Sequence, residues 1–137
     1  MRKLLLFAFL CLPILYTGCS SDNEKCQDAV CTCDFQSIRI ELKYEDGTPV
    51  ILDSYEVIEV ATGKTHDVWE DIDLSEWGRY AISTDFDRQA FFDRKVKLQF
   101  IGKIGGKVIV TKNYIVSADC CHIYLVEGDR VVTIKNM

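Results

Sequence analysis

Proline and histidine are scarce in this 137-residue chain, with two of each: Pro13, Pro49, His66 and His122. Two prolines leave long stretches where nothing blocks strand pairing. Two histidines leave a thin pool of neutral-pH bases, and neither sits in a nucleophile motif such as Gly-x-Ser-x-Gly. Cations are in deficit too, 16 against 21 carboxylates. That balance disfavours nucleic acid, whose binding comes largely from neutralised phosphates. Beyond the N-terminus no apolar run is long enough to span a bilayer. Gly63-Lys64-Thr65 ends like a phosphate loop, but Ile58 stands where the earlier glycine is required, which excludes that reading.

What is present begins with Arg2 and Lys3, the apolar run Leu4 to Leu15 broken at Pro13, and then Tyr16-Thr17-Gly18-Cys19. A short basic segment, about a dozen apolar residues and a small-residue end make residues 1–18 an expected cleaved export signal. Leu15-Tyr16-Thr17-Gly18-Cys19 resembles the bacterial lipobox, with Tyr16 where a bulky aliphatic residue is usual. The resemblance implies that Cys19 carries the lipid anchor and begins the mature chain. Two or more acyl chains suffice for lasting attachment, at about 0.8 kcal/mol per buried CH₂.

Ser20-Ser21-Asp22-Asn23-Glu24-Lys25 cannot bury apolar area and is expected to be disordered. It resembles the acidic, serine-led tags of Bacteroidota surface lipoproteins, which implies outward exposure on the outer membrane. The expected organisation is a signal over 1–18, lipidated cysteine and flexible tether over 19–33, and one domain over 34–137. All the acidic residues and 14 of the basic ones follow residue 18, giving the mature chain a formal charge of −7. Such a surface suits solubility or cation contact.

From Phe35 onward apolar residues recur at every second position. Ile38, Ile40, Leu42 and Tyr44 alternate with Arg39, Glu41 and Lys43, the pattern of a half-buried strand. Further strands are expected over 55–61, 79–84, 95–101, 107–116, 122–126 and 130–134. Turn chemistry separates them at Asp46-Gly47-Thr48-Pro49, Gly102 to Gly106 and Glu127-Gly128-Asp129. About seven short strands predict an all-β domain, a single antiparallel β-sandwich.

Asp46-Gly47-Thr48-Pro49-Val50, Thr62-Gly63 and Gly78-Arg79-Tyr80-Ala81-Ile82 resemble the turns of carboxypeptidase-regulatory-like and transthyretin-like modules. The resemblance covers roughly residues 35–84, with no counterpart for Cys120-Cys121-His122 or the last hairpin. It implies an Ig-like or transthyretin-like sandwich used as a linker, anchor or binding domain, and no catalytic residues.

Five cysteines remain after Cys11 and Cys19: Cys26, Cys31, Cys33, Cys120 and Cys121. An exported protein is expected to oxidise them in pairs, with one left over. Cys31 and Cys33 share one face of an extended segment, whereas adjacent Cys120 and Cys121 would point oppositely on a strand. The expected staple runs from Cys31 or Cys33 to Cys120 or Cys121, adding about 4 kcal/mol on the chain-entropy model. The sharper alternative is zinc held by Cys31, Cys33, Cys120 or Cys121, and His122. The spacing lacks Cys-x₂-Cys knuckles, so no metal or other cofactor is expected.

Trp69 to Trp77 sets four carboxylates between two tryptophans. Trp69, Asp71, Asp73, Glu76 and Trp77 are the candidate ligand residues, through sugar stacking or oxygen ligation of calcium, although the glycine of an EF-hand loop is missing. The competing expectations are core tryptophans and, for Asp85-Phe86-Asp87, a solvated loop. The expected function is a non-catalytic, membrane-anchored envelope module, binding or structural, that contacts glycan or an envelope protein and no nucleic acid. The alternative is a small accessory hydrolase or metal-binding protein.

Overall fold

The computed structural model describes residues 24–69 and 72–136; the expected signal, Cys19 and Asp71 lie outside them. Period-two alternation becomes strand structure with little displacement. In β1 (Ser37–Tyr44) Ile38, Ile40 and Leu42 point into the core and their neighbours do not. β2 (Ser54–Glu59), β4 (Arg79–Thr84), β5 (Val96–Ile104), β6 (Lys107–Ala118), β7 (Ile123–Glu127) and β8 (Val131–Ile134) follow the expected segments. The one addition is β3 (Lys64–Thr65), a two-residue strand antiparallel to the end of β2.

The strands form two sheets, β4-β1-β8 and β3-β2-β5-β6-β7, packed as an all-β sandwich. Every pairing between strands is antiparallel except β1 with β8, which is parallel. Between the sheets lie Leu42, Val57, Ile82, Leu98, Phe100 and Val116, all nearly inaccessible. Tyr55 stacks on Phe100 at 5.3 Å between ring centres and meets Tyr80 edge-on at 5.2 Å. The Tyr80 hydroxyl donates to Val50 O (2.9 Å) and accepts from Leu52 N (2.8 Å), so a polar group enters the core fully partnered.

Two details depart from simple alternation. β4 is buried on both faces, with Ala81 and Ser83 on the second. Val108, grouped by sequence with Val110, is 56% exposed. The register between β5 and β6 shifts at Gly102/Lys103, where Val110 faces Gly102 and Val108 faces Lys103. The extra residue, Ile109, flips the side-chain phase beyond it.

Strand direction gives the sandwich two unlike ends. Ser37 at the start of β1 pairs with Thr84 at the end of β4, and the segment after β5's partner strand, Asp119 to His122, comes off Ala118 at that same end. The chain therefore enters beside the Cys120-Cys121 loop. The opposite end holds the Asp46–Pro49 turn, the Gly105-Gly106 hairpin tip and the end of β8 at Ile134, which pairs with Tyr44.

Candidate functional site

The entry end is closed covalently. Cys26 bonds Cys120 and Cys31 bonds Cys121, leaving Cys33 free and exposed. Cys31 to Cys121 is one of the expected staples, and Cys26 to Cys120 adds a second. Adjacent cysteines serve both because they lie in a turn between β6 and β7, not on a strand where they would point oppositely. Asp119 builds that turn, its carboxylate accepting from Cys121 N (2.7 Å) and His122 N (2.8 Å), which holds its pKa below the usual range. The segment assigned to the tether is thus held down at residues 26 and 31. Bridging Cys31, Cys120 and Cys121 also removes the thiolates a zinc site would need. Among the described residues no group of three or more His, Cys, Asp or Glu is arranged to hold a metal ion.

Beside the bridges sits a polar hub absent from the sequence reading. Asp85 accepts from Gln36 N (2.8 Å), Ile123 N (2.9 Å) and His122 Nδ1 (2.7 Å), tying three separate segments together. Its hydrogen bond raises the His122 pKa, and the other ring nitrogen lies 2.9 Å from Thr32 Oγ1. Asp87 accepts from Ser83 Oγ (2.7 Å), Thr84 N (3.1 Å) and His66 Nε2 (3.0 Å). Burial works against its charge, and these hydrogen bonds outweigh burial and hold its pKa down.

Asp85-Phe86-Asp87 is therefore not a solvated loop. It is a 3₁₀ turn leading into the short helix α1 (Arg88–Phe91), closed by a capping box between Thr84 and Asp87. Thr84-Asp85-Phe86-Asp87 carried the signal, since a hydroxyl residue three before a carboxylate is a helix-start pattern. The serine, histidine and carboxylate brought together here do not form a hydrolase triad. Ser83 and His66 both bond the same carboxylate oxygen, so the histidine orients on Asp87 and not on the hydroxyl.

The acidic loop is spread over three places. Trp69 is 54% exposed and packs with Phe35 (6.0 Å, edge-on) and Phe86 (5.0 Å, edge-on), which also touch each other at 5.2 Å. Trp77 is 67% exposed and lines a shallow groove with Glu41, Lys43, Gly47, Pro49 and Arg79. Neither tryptophan is core. Asp73 accepts from Ser75 N (2.9 Å), which lowers its pKa, and Glu76 is exposed in the turn Ser75–Trp77. The two tryptophans thus serve different surfaces.

Asp73 and Ser75 instead join Leu52, Asp53, Ser54, Tyr55, Val68 and Tyr80 around an open cleft of about 540 Å³. Gly78 fixes the loop above it, at φ +67° and so close to Leu42 O that an added Cβ would lie 2.4 Å away. Carboxylates, hydroxyls and tyrosine rings converge there without a histidine. Such a lining can accept hydrogen bonds from hydroxyl groups and cover an apolar face.

Fold and surface together define a disulfide-tied all-β sandwich with a polar cleft and an exposed aromatic cluster. The chain matches no protein-family model, no curated protein and no solved structure.

Proposed function

We propose that this chain is an exported, lipid-anchored, non-catalytic binding module of the cell envelope, held in the outer membrane through Cys19 and facing outward. Its cleft takes a hydroxyl-rich partner, a glycan in the first instance. The observation that carries the reading is the composition of the cleft: two carboxylates, two serines and two tyrosines around about 540 Å³, with no histidine in its lining. Both histidines are committed to carboxylates that organise the fold. The envelope address is supported by the signal-like N-terminus and by two bridges that suit an oxidising compartment.

The kinship with carboxypeptidase-regulatory-like and transthyretin-like modules belongs to the same proposal. Its support is the turn chemistry: Asp46 caps its own turn by accepting from Thr48 N and Oγ1, and Gly63 and Gly78 take positive φ beside their strands.

A glycan panel tests the binding. Asp73→Asn with Ser54→Ala is expected to abolish the strongest signal while thermal stability stays unchanged. Retention of that signal, or turnover of any panel member by the wild-type chain, refutes the reading.

A further inference from the structure

We propose that the aromatic cluster Phe35, Trp69 and Phe86 is a membrane-seating knob, by which the domain rests on the lipid surface that holds its anchor. The inference rests on lipidation of Cys19 and adds a second, non-covalent contact with the same bilayer.

Exposure comes first. The three side chains are 44%, 54% and 66% exposed and touch one another, together offering roughly 300 Å² of apolar surface. An apolar patch of that size, on a mature chain of formal charge −7, is of the kind that often serves as an interaction surface. Its rings cross at 88°, 87° and 58°, so no two are coplanar. They form a knob and not the flat platform on which a row of sugars stacks. Tryptophan is enriched at the bilayer interface, and phenylalanine accompanies it on the apolar face of segments that lie there.

Position names the occupant. Phe35 precedes β1 and Phe86 follows β4, and β1 and β4 meet at Ser37 and Thr84, so both rings sit at the entry end. The disulfides to Cys120 and Cys121 pin residues 26 and 31 at that same end, and Asp85, next to Phe86, bonds His122. Six residues lie between Cys19 and Cys26, so seven Cα-to-Cα steps span at most roughly 25 Å. The anchor therefore cannot insert without bringing this end of the sandwich close to the headgroups. Exposed Asp34 and Asp67 flank the cluster in sequence, so a zwitterionic surface suits it better than an anionic one.

The two tryptophans supply their own reporters. The lipidated chain, purified and reconstituted into phosphatidylcholine and phosphatidylethanolamine vesicles, carries either Trp77→Phe, leaving Trp69, or Trp69→Phe, leaving Trp77. With bromine on the upper acyl chain, Trp69 emission is expected to fall at least twofold and Trp77 emission to stay constant. Equal quenching of both, or of neither, overturns the proposal. A polarity-sensitive dye on the free thiol of Cys33 reads the same end without altering the cluster, and is expected to shift to the blue on reconstitution.

Intact mass of the purified protein separates this proposal from the anchor reading. If diacylglyceryl is present and Trp69 stays unquenched, seating fails and the anchor stands. If diacylglyceryl is absent, the anchor reading fails. Seating is then judged on the unlipidated chain with added vesicles of the same composition, where Phe86→Ser is expected to weaken partitioning roughly tenfold. No vesicle binding there overturns seating.

Discussion

The two bridges should protect the fold equally and non-additively. Cys26 and Cys120 are 94 residues apart, and Cys31 and Cys121 are 90 apart. Either bridge alone closes a loop worth about 4.7 kcal/mol of denatured-state entropy. With one in place the other closes only the small ring formed by the segment 26–31 and the adjacent pair 120–121. A ring of roughly eight residues is worth about 2.5 kcal/mol on the same relation. Removing one bridge by paired Cys→Ser changes should therefore cost about 2.5 kcal/mol, whichever bridge is chosen, and removing both about 7 kcal/mol. The excess over additivity, about 2 kcal/mol, is the signature of a shared long loop.

The measurement is urea unfolding followed by tryptophan fluorescence, with Cys33→Ser in every variant so that the free thiol cannot replace a missing partner. Trimethylamine oxide extends the range for the variant lacking both bridges, whose loss is comparable to the whole stability of a small domain. Strictly additive costs would refute the loop argument. So would a single-bridge variant that loses about 4.7 kcal/mol on its own, since the second bridge would then not be holding the long loop.

Tyr80→Phe leaves Val50 O and Leu52 N without their hydroxyl partner in the core, and should cost about 1–3 kcal/mol in denaturant unfolding. Gly128→Ala places a Cβ 2.3 Å from the Tyr114 ring at φ +129°, and should destabilise by about 1–3 kcal/mol, while Gly63→Ala, with nothing within 4 Å, should cost less. On the alkaline side, His122 has its folded pKa raised by the Asp85 hydrogen bond, so its contribution is full below about 6.5 and is lost as pH rises through the folded value. His122→Asn should flatten the melting-temperature profile over that window. On the acid side, the lowered pKa values of Asp87 and Asp119 give stability that is present above about 3.9 and lost as pH falls through their folded values. Asp87→Asn should lower the melting temperature at pH 7 more than at pH 2.

The strands were legible because one face of each sheet is dry, and a dry face forces the sequence into period two. The reading failed where that constraint lapses. The bulge at Ile109 reverses the phase of Val108 without leaving a mark in the pattern. β4, buried on both faces, reads like a half-buried strand because Ala81 and Ser83 are too small to announce a second dry side. The cysteines were recognised as bridging residues, but treating the 120–121 segment as extended hid the turn that lets neighbours take different partners. The acidic stretch was singled out for composition, and composition carries no direction. A few residues of loop send Trp69 to the entry end, Asp73 to the cleft and Trp77 to the far turn. Long-range partners such as Asp85 with His122, 37 residues apart, leave no local trace at all.

The cleft reaches from the far end of β2 to the edge of the knob, since Val68 lines it and Trp69 is the next residue. β1 runs eight residues from the entry end to Tyr44, a span of roughly 25 Å at about 3.3 Å per residue. The cleft is lined by Leu52 to Tyr55, and Ser54 and Tyr55 pair with Lys103 and Gly102, beside the hairpin tip at the far end of β5. If the entry end rests on lipid, the Leu52 to Tyr55 side of the cleft is the side turned away from the headgroups. The two covalent ties then have a mechanical sense: a load on the partner passes through the β1 and β6 ends to Cys26, and the bridges keep it from peeling the first strand away. Breaking both bridges should therefore lower the force at which the anchored domain opens, even in conditions where it stays folded at rest. Pulling on the chain's C-terminus with the anchor fixed would show this as a drop in rupture force for the variant lacking both bridges. An unchanged rupture force would mean that the load is carried by the sheet hydrogen bonds alone.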